Sequence, residues 1–279
     1  PCQGFSTSNT QTRNIENANN FLFMEFVRFV KELSPEWFLF ENVEGFKSFD
    51  NGNFANNIEN EFRELGYTTS SSVLTASDFG VPQKRNRFFI VGNKNGIVFD
   101  FSLLKRQPLV TVGEALSDLP QNLHNGEHRE ECSYTKKADT SYLRIMREKA
   151  KAPLQNLVSR NKEYVVERYK HIKHGGNWQD IPSELMQNYS NTKNMHSGIY
   201  KRLDPSQPSV VIANYRKSML IHPYENRGLS LREAARLQSF PDHVIFEGPL
   251  SYKQQQIGNA VPPLLAKVIG RHILNLLKE

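Results

Sequence analysis

The chain has 279 residues, enough to bury the core of one large domain or of two. It carries 35 lysines and arginines against 29 aspartates and glutamates, and the net charge of +6 suits a polyanionic partner without proving one. Two cysteines without a CxxC pair indicate neither a disulfide framework nor a Cys-based zinc site, and the lack of a signal peptide or of an apolar run near the ~20 residues of a membrane span favours a reducing cytoplasm and no membrane.

A polar loop opens the chain and carries Cys2 between Pro1 and Gln3. Proline fixes one backbone angle next to the sulfur, and Gly4 permits a close turn behind it. Such a loop could hold a thiolate nucleophile. A single cysteine is more often inert than catalytic, so the loop alone does not decide between these two readings.

The next segment predicts a helix followed by a buried strand. Apolar residues recur at helical spacing over 21–33, and Pro35 ends the helix. The continuous apolar run Trp37–Phe40 is typical of a buried parallel strand. Glu41 and Asn42 lie at its C-terminal end, where ligands bind in open α/β sheets. A strand-end carboxylate that only faces water is the alternative.

Further alternation of helix and strand predicts an α/β sheet. A helix is expected over 53–65, a strand over 67–75 and a buried strand over 87–92. Arg85 and Arg87 lie at the start of the last strand. They are either two surface arginines or fixed cationic donors for a phosphate or a base carbonyl.

The stretch from about residue 105 to 195 is basic and rich in aromatic residues. Twelve basic and seven acidic residues lie between His124 and Gly176, and helices are expected over 141–151 and 158–172. Mixed cations and aromatics suit a surface that contacts bases, but ordinary helices with buried tyrosines show the same mixture. The tyrosines and tryptophan concerned are Tyr134, Tyr142, Tyr164, Tyr169, Trp178 and Tyr189.

The last third of the chain returns to regular patterns. Residues 208–213 predict a strand, and Ser230 with Glu233 has the form of a capping box before a helix. Pro262 and Pro263 suit the first turn of a final helix that runs to Leu277.

Five segments in this order resemble the cytosine-5 DNA methyltransferases. They are Pro1-Cys2-Gln3, Glu41-Asn42-Val43, the Gln-x-Arg-x-Arg segment 83–87, the segment 227–241, and Gly258-Asn259-Ala260-Val261-Pro262. The resemblance implies an α/β, Rossmann-like methyltransferase core that is incomplete at the N-terminus, with a smaller target-recognition domain. The implied boundaries are a catalytic core over 1–104, target recognition and a hinge over 105–251, and a C-terminal helix over 252–279 that returns to the core.

The resemblance also implies the reaction and the residues that perform it. Cys2 would attack carbon 6 of a flipped cytosine, Glu41 would donate a proton or hydrogen bond at ring nitrogen 3, and Arg85 would orient the base and lower the pKa of Cys2. Supporting roles are implied for Gln3, Ser6, Asn42 and Arg87, and contacts to S-adenosylmethionine for Pro1, Asn259 and Val261. No metal is implied, and the eight histidines show no ligand spacing.

Two features of the family, a glycine-rich strand-turn and the acidic residue after it, do not occur in this sequence. We therefore expect the methyl donor site to need either a second subunit or a further N-terminal segment. The implied setting is a bacterial restriction-modification system acting on duplex DNA. The alternatives are a non-catalytic DNA-recognition module and an RNA cytosine-5 methyltransferase.

Overall fold

A computed structural model describes the chain in four stretches, 22–189, 195–213, 215–216 and 219–278. Its residues form two compact units. The first unit contains the described residues of 22–75 and 85–105, and the second contains the described residues of 76–84 and 106–278.

The first unit contains a three-stranded sheet with the order β1-β3-β2. Its strands are β1 (Trp37–Val43), β2 (Thr68–Thr75) and β3 (Asn86–Asn93). β3 is antiparallel to both neighbours, with Glu41 opposite Phe89 and Val73 opposite Phe88. Among the described strands, β1 pairs only in antiparallel fashion, so the prediction that Trp37–Phe40 forms a parallel strand is wrong. The connection from β2 to β3 is shorter than the dozen residues that a parallel crossover needs.

Three helices of this unit pack on the sheet through a phenylalanine-rich core. They are α1 (Leu22–Leu33), α2 (Glu44–Ser48) and α3 (Asn53–Glu64). Phe38 and Phe40 of β1 contact Phe62 of α3 with ring centroids 4.4 and 6.4 Å apart. The helices and strands predicted over 21–33, 53–65, 67–75 and 87–92 are confirmed to within a few residues. This packing covers one face of β1, whereas Leu39 and Glu41 alternate to the opposite face and are half-buried.

The second unit is mainly helical. Its helices are α4 (Val112–Leu116), α5 (Ser141–Arg147), α6 (Glu163–Tyr169), α7 (Leu231–Leu237), α8 (Leu250–Asn259) and α9 (Pro263–Leu276). Two short strands, β4 (His128–Glu131) and β5 (Leu154–Leu157), pair in antiparallel fashion. Every residue of α7 is buried, so this helix is the centre of the unit.

Several predictions for the second unit are confirmed and others are wrong. The capping box of Ser230 and Glu233 and the proline at the first turn of α9 are both present. The strand expected over 208–213 is wrong, since only Ser209 forms a bridge, to Gln83. The helix expected over 158–172 is reduced to α6, because Val158 is instead bridged to Ser230. No helix within the described stretches is long and apolar enough to cross a membrane.

Candidate active site

The antiparallel sheet brings the end of β1 beside the start of β3. Glu41 lies opposite Phe89, and Arg87 lies two residues before Phe89 on the same face. Arg87 Nε donates to Glu41 Oε1 at 2.9 Å, and both side chains are largely buried. The structure thus joins two predicted site residues that are 46 positions apart in the sequence (87 − 41 = 46).

The surroundings of Glu41 favour its protonated form more than water does. Burial raises the pKa of Glu41 above its ordinary value, and the charges of Arg87 and then Arg85 partly oppose that rise. The carboxyl can therefore hold a proton more readily than an exposed glutamate, while the Arg87 contact fixes its position.

Arg85 and Arg87 are two buried cations at the start of β3. Arg85 is fully buried, and burial followed by the nearby charge of Arg87 lowers its pKa to about 9. Burial also lowers the pKa of Arg87, and the charge of Glu41 opposes this decrease. Both guanidinium groups remain charged at neutral pH, so the site carries a net positive charge next to one carboxyl.

Two asparagines hold the strand ends around this pair. Asn42 is buried, and its Oδ1 accepts a hydrogen bond from the Val43 amide at 2.9 Å. Asn86 Oδ1 accepts from the Thr75 hydroxyl at 2.9 Å, and Asn86 Nδ2 donates to Glu44 at 3.0 Å. Asn86, at the start of β3, therefore links the end of β2 to the start of α2, which directly follows β1. Asn86 was not predicted as a site residue, although it stands between Arg85 and Arg87.

The segment 227–241 forms a buried ionic network in the second unit. Arg227 donates to both oxygens of Glu233, at 2.9 and 2.7 Å, and Glu233 also caps α7. Arg236 donates to Asp118 at 2.9 Å and to Asp242 at 2.6 Å, with all three side chains fully buried. These charges orient α7 and are structural, since each contacts other buried groups of the unit.

Gln83 connects two of the sequence motifs within the second unit. Its Nε2 donates to Gln238 Oε1 at 2.6 Å, and its Oε1 accepts from the Ile212 amide at 3.0 Å. Gln238 in turn donates to the carbonyl of Ile257 at 2.9 Å, next to Gly258. The first residue of the Gln-x-Arg-x-Arg segment therefore positions backbone near Gly258 and Asn259 at the end of α8.

The end of α8 carries the predicted cofactor residues Asn259 and Val261. Asn259 is exposed and Val261 is half-buried, so an amide and an apolar side chain are both accessible. These two groups fit the polar and apolar parts of S-adenosylmethionine. No group of three or more histidine, cysteine or acidic side chains suited to a metal ion occurs in the described stretches.

Replacing Gly258 by alanine should destabilise the second unit by about 1–3 kcal/mol, the usual cost of overpacking. An added Cβ would lie 2.1 Å from the carbonyl oxygen of Ala213. Gly270→Ala is the matched control, because a Cβ there meets nothing within 4 Å and helix propensity favours alanine by roughly 0.5–1 kcal/mol. Urea unfolding measures both variants. Equal stability of the two would show that the approach of Gly258 to Ala213 is not a constraint.

The other predicted site residues lie outside the described stretches. They are Pro1, Cys2, Gln3 and Ser6. The roles of Cys2 and of this loop therefore stay predictions.

Comparison with known proteins identifies the family. The family model of C-5 cytosine-specific DNA methylases matches residues 1–275. The chain is 35% identical to the type II methyltransferase M.DdeI of Desulfomicrobium norvegicum, covering 98% of this chain and 70% of that protein. It is 34% identical to the type II methyltransferase M1.HphI of Haemophilus parahaemolyticus, covering 99% of this chain and 67% of that one.

Solved structures agree with this family. The crystal structure of a DNA modification methyltransferase encoded within an E. coli prophage matches with a TM-score of 0.77 and 27% identity, covering 100% of this chain and 78% of that one. The Entamoeba histolytica methyltransferase EhMeth shares the fold at a TM-score of 0.57 and 14% identity, covering 100% of this chain and 76% of that one. The family match over nearly the whole chain and the two relatives above 30% identity show that this chain belongs to the DNA cytosine-5 methyltransferases.

Proposed function

We propose that this chain methylates carbon 5 of cytosine at a specific sequence in duplex DNA, through a covalent Cys2 adduct to a flipped base, within a restriction-modification system. The observation that carries the proposal is the buried Glu41 carboxyl, whose pKa is raised by burial and whose position is fixed by Arg87 at 2.9 Å. Carbon 5 of cytosine is a weak nucleophile, so the reaction needs both a thiolate and a donor at nitrogen 3.

The proposed reaction begins with addition of the Cys2 sulfur to the cytosine ring. The Cys2 sulfur forms a bond to carbon 6, the carbon 5–carbon 6 electron pair becomes available at carbon 5, and nitrogen 3 takes a proton or hydrogen bond from Glu41. Carbon 5 would then form a bond to the methyl group that S-adenosylmethionine supplies when bound, as the methyl–sulfonium bond breaks and its electron pair stays on the departing thioether sulfur. Loss of the carbon 5 proton to a base, departure of the Cys2 sulfur with its bonding electron pair, and return of the nitrogen 3 proton to Glu41 restore the aromatic ring.

The residues around Glu41 suit the charges that develop in this reaction. A carboxyl whose pKa is raised by burial can present a proton to nitrogen 3 more readily than an exposed glutamate. Arg85 supplies a buried cation that orients the cytosine carbonyl and favours the Cys2 thiolate. Arg87 holds Glu41, and Asn42 stabilises the strand end. Asn259 and Val261, with Pro1, would hold S-adenosylmethionine.

The target base must leave the duplex to meet these groups. Flipping costs a few kcal/mol, which contacts in the pocket offset. Gln3 and Ser6 lie on the loop that we propose closes around the flipped nucleotide. We assign recognition of the target sequence and the hinge to residues 105–251, and the catalytic core to residues 1–104 joined by 252–279.

Transfer of labelled methyl from S-adenosylmethionine to duplex DNA tests the proposal, with Cys2→Ser run beside the parent chain. When a polypeptide that carries the glycine-rich cofactor strand is supplied, we expect label in DNA cytosine with the parent and none with the variant. Transfer RNA as competitor distinguishes an RNA enzyme, since preferential labelling of RNA would contradict the DNA assignment. Transfer by this chain alone would contradict the expected need for a further cofactor-binding segment, and transfer by Cys2→Ser would contradict the nucleophile.

Replacing Arg87 by methionine should raise the pKa of Glu41 further, because Arg87 now opposes the effect of burial. Arg87→Lys keeps the charge and should restore much of the difference. The folded state would then bind the Glu41 proton more tightly than the unfolded chain. The resulting stabilisation is present below the unfolded pKa of about 4.3 and is lost as the pH rises through the folded pKa.

An NMR titration of the Glu41 carboxyl carbon measures this shift. Arg63→Met is the control, since Arg63 pairs with Glu59 on α3 and not with Glu41. A downward shift in Arg87→Met would show that the ion pair does not set the protonation of Glu41.

A further inference from the structure

An open groove of about 690 Å³ lies on the surface of the second unit. Residues 125–126 form one wall, and residues 160–164, which lead into α6, form the other. Its side chains are polar or charged apart from the face of one tyrosine. An apolar ligand does not match this lining.

Two cations line the groove. Arg160 and Lys162 are exposed, and neither forms an ion pair within the described stretches, whereas Lys170 at the end of α6 pairs with Glu167 at 2.5 Å. Tyr164 is 48% exposed beside them, with Lys162 Nζ 5.9 Å from its ring centroid. The groove therefore offers two positive charges and an aromatic face to a ligand.

The two walls are held at a fixed separation. Asn125 Nδ2 donates to the Asn161 carbonyl at 2.8 Å, and the Asn161 amide donates to Asn125 Oδ1 at 2.8 Å. Gly126 has a positive φ of 80°, and a Cβ there would lie 2.9 Å from Arg160 Cβ. On the inner side, buried Arg168 lies 5.0 Å from the Tyr164 ring centroid and anchors it. The charged side chains thus project from a preorganised backbone.

We propose that this groove binds the sugar-phosphate backbone of the duplex DNA substrate, with Arg160 and Lys162 contacting phosphates and Tyr164 packing on the adjoining sugar. The assignment of the substrate rests on the proposed function. Phosphates fix the position of a duplex and carry no sequence information, so the groove contributes affinity and orientation and leaves the choice of sequence to other residues. Glu163 lines the same groove and opposes DNA binding by its charge.

Binding of the full chain to fluorescent duplex DNA over a range of salt concentrations tests the proposal. Arg160→Ala and Lys162→Ala should each weaken binding by on the order of fivefold and reduce the salt slope by about 1. The loss should be equal for target-containing and scrambled duplexes. Lys149→Ala is the matched control, because Lys149 is also exposed and without an ion pair in the described part of the chain, but does not line the groove.

Glu163→Gln should change the affinity for DNA in the opposite direction. It therefore distinguishes the loss of a phosphate contact from general damage to the fold. It should strengthen binding of duplex DNA and increase the salt slope, whereas a groove for a cationic ligand would lose that charge without any gain in DNA affinity. An unchanged affinity in Glu163→Gln, an equal loss in Lys149→Ala, or a loss confined to one DNA sequence would each overturn the proposal.

Methyl transfer separates this proposal from the proposed function. Arg160→Ala and Lys162→Ala should raise KM for DNA and leave kcat at saturating DNA unchanged. If no variant or parent transfers methyl, the DNA-binding measurements still decide whether the groove contacts phosphates. A lowered kcat with an unchanged KM would contradict a contact that only positions the duplex.

Discussion

Replacing Glu41 by glutamine should lower kcat for methyl transfer by about 10²–10⁴-fold, the usual contribution of a positioned acid. Glutamine retains the size of the side chain and an oxygen that can accept from Arg87, so the fold and the affinity for DNA should change little. Glutamine lacks the ionisable proton of the carboxyl. Burial at this position favours the protonated form of Glu41. The effect should therefore appear in kcat and be nearly absent from KM for DNA.

Glu36→Gln is the matched control for this experiment. Glu36 immediately precedes β1 at the opposite end of the strand, is exposed, and accepts a hydrogen bond from Asn95 at 2.8 Å. The same chemical change there should leave kcat within about twofold, as expected of a surface substitution. A Glu41→Gln variant with the parent kcat would show that nitrogen 3 of cytosine is served by another group.

Replacing Arg236 by methionine should lower the free energy of unfolding of the second unit by about 3–5 kcal/mol, the usual result of breaking a buried ion pair. Arg236, Asp118 and Asp242 are all fully buried, and Arg236 also donates to the Ala115 carbonyl at 3.0 Å. Methionine would leave Asp242 without its cation and Asp118 with only the more distant Arg147, at 3.3 Å. Tyr134 would still donate to Asp242 at 2.7 Å, which cannot replace a full charge.

Two further variants show whether the cost comes from uncompensated charge. The triple variant Arg236→Met, Asp118→Asn, Asp242→Asn removes all three charges and should recover part of the lost stability. Arg28→Met removes an exposed arginine that pairs with Glu25 and Glu32, and should leave the free energy of unfolding nearly unchanged. Guanidinium unfolding measures all of them. A triple variant less stable than Arg236→Met would contradict the charge explanation.

Local patterns predicted α1, α3 and the three strands of the first unit but not α2, and the five motifs predicted the family. The antiparallel pairing of β1 with β3 could not be predicted in the same way, because register depends on contacts distant in sequence. Trp37–Phe40 is apolar throughout, so it lacks the alternation that marks an antiparallel strand with one solvated face. The pairing matters for function because it places Arg87 beside Glu41.

The complete burial of α7 could not be predicted from the sequence either. The capping box and the Glu-Ala-Ala-Arg pattern predict a helix, but they do not indicate that every residue from Leu231 to Leu237 is buried. The partners that make this burial favourable come from elsewhere in the chain, since Asp118 lies 118 residues before Arg236. Likewise, Gln83 was noted as part of a motif, and its contact with Gln238, 155 residues away, appears only in the structure.

The most direct measurement of the covalent mechanism uses duplex DNA with 5-fluorocytosine at the target base. Fluorine occupies the position of the carbon 5 proton and cannot leave as a cation, so the final elimination stops and the Cys2 adduct persists. Mass spectrometry of the denatured mixture with S-adenosylmethionine should show protein, DNA and one methyl group in a single species, with the DNA attached to the peptide containing Cys2. Methyl transfer to ordinary cytosine without any such species, or the same species in Cys2→Ser, would contradict the mechanism.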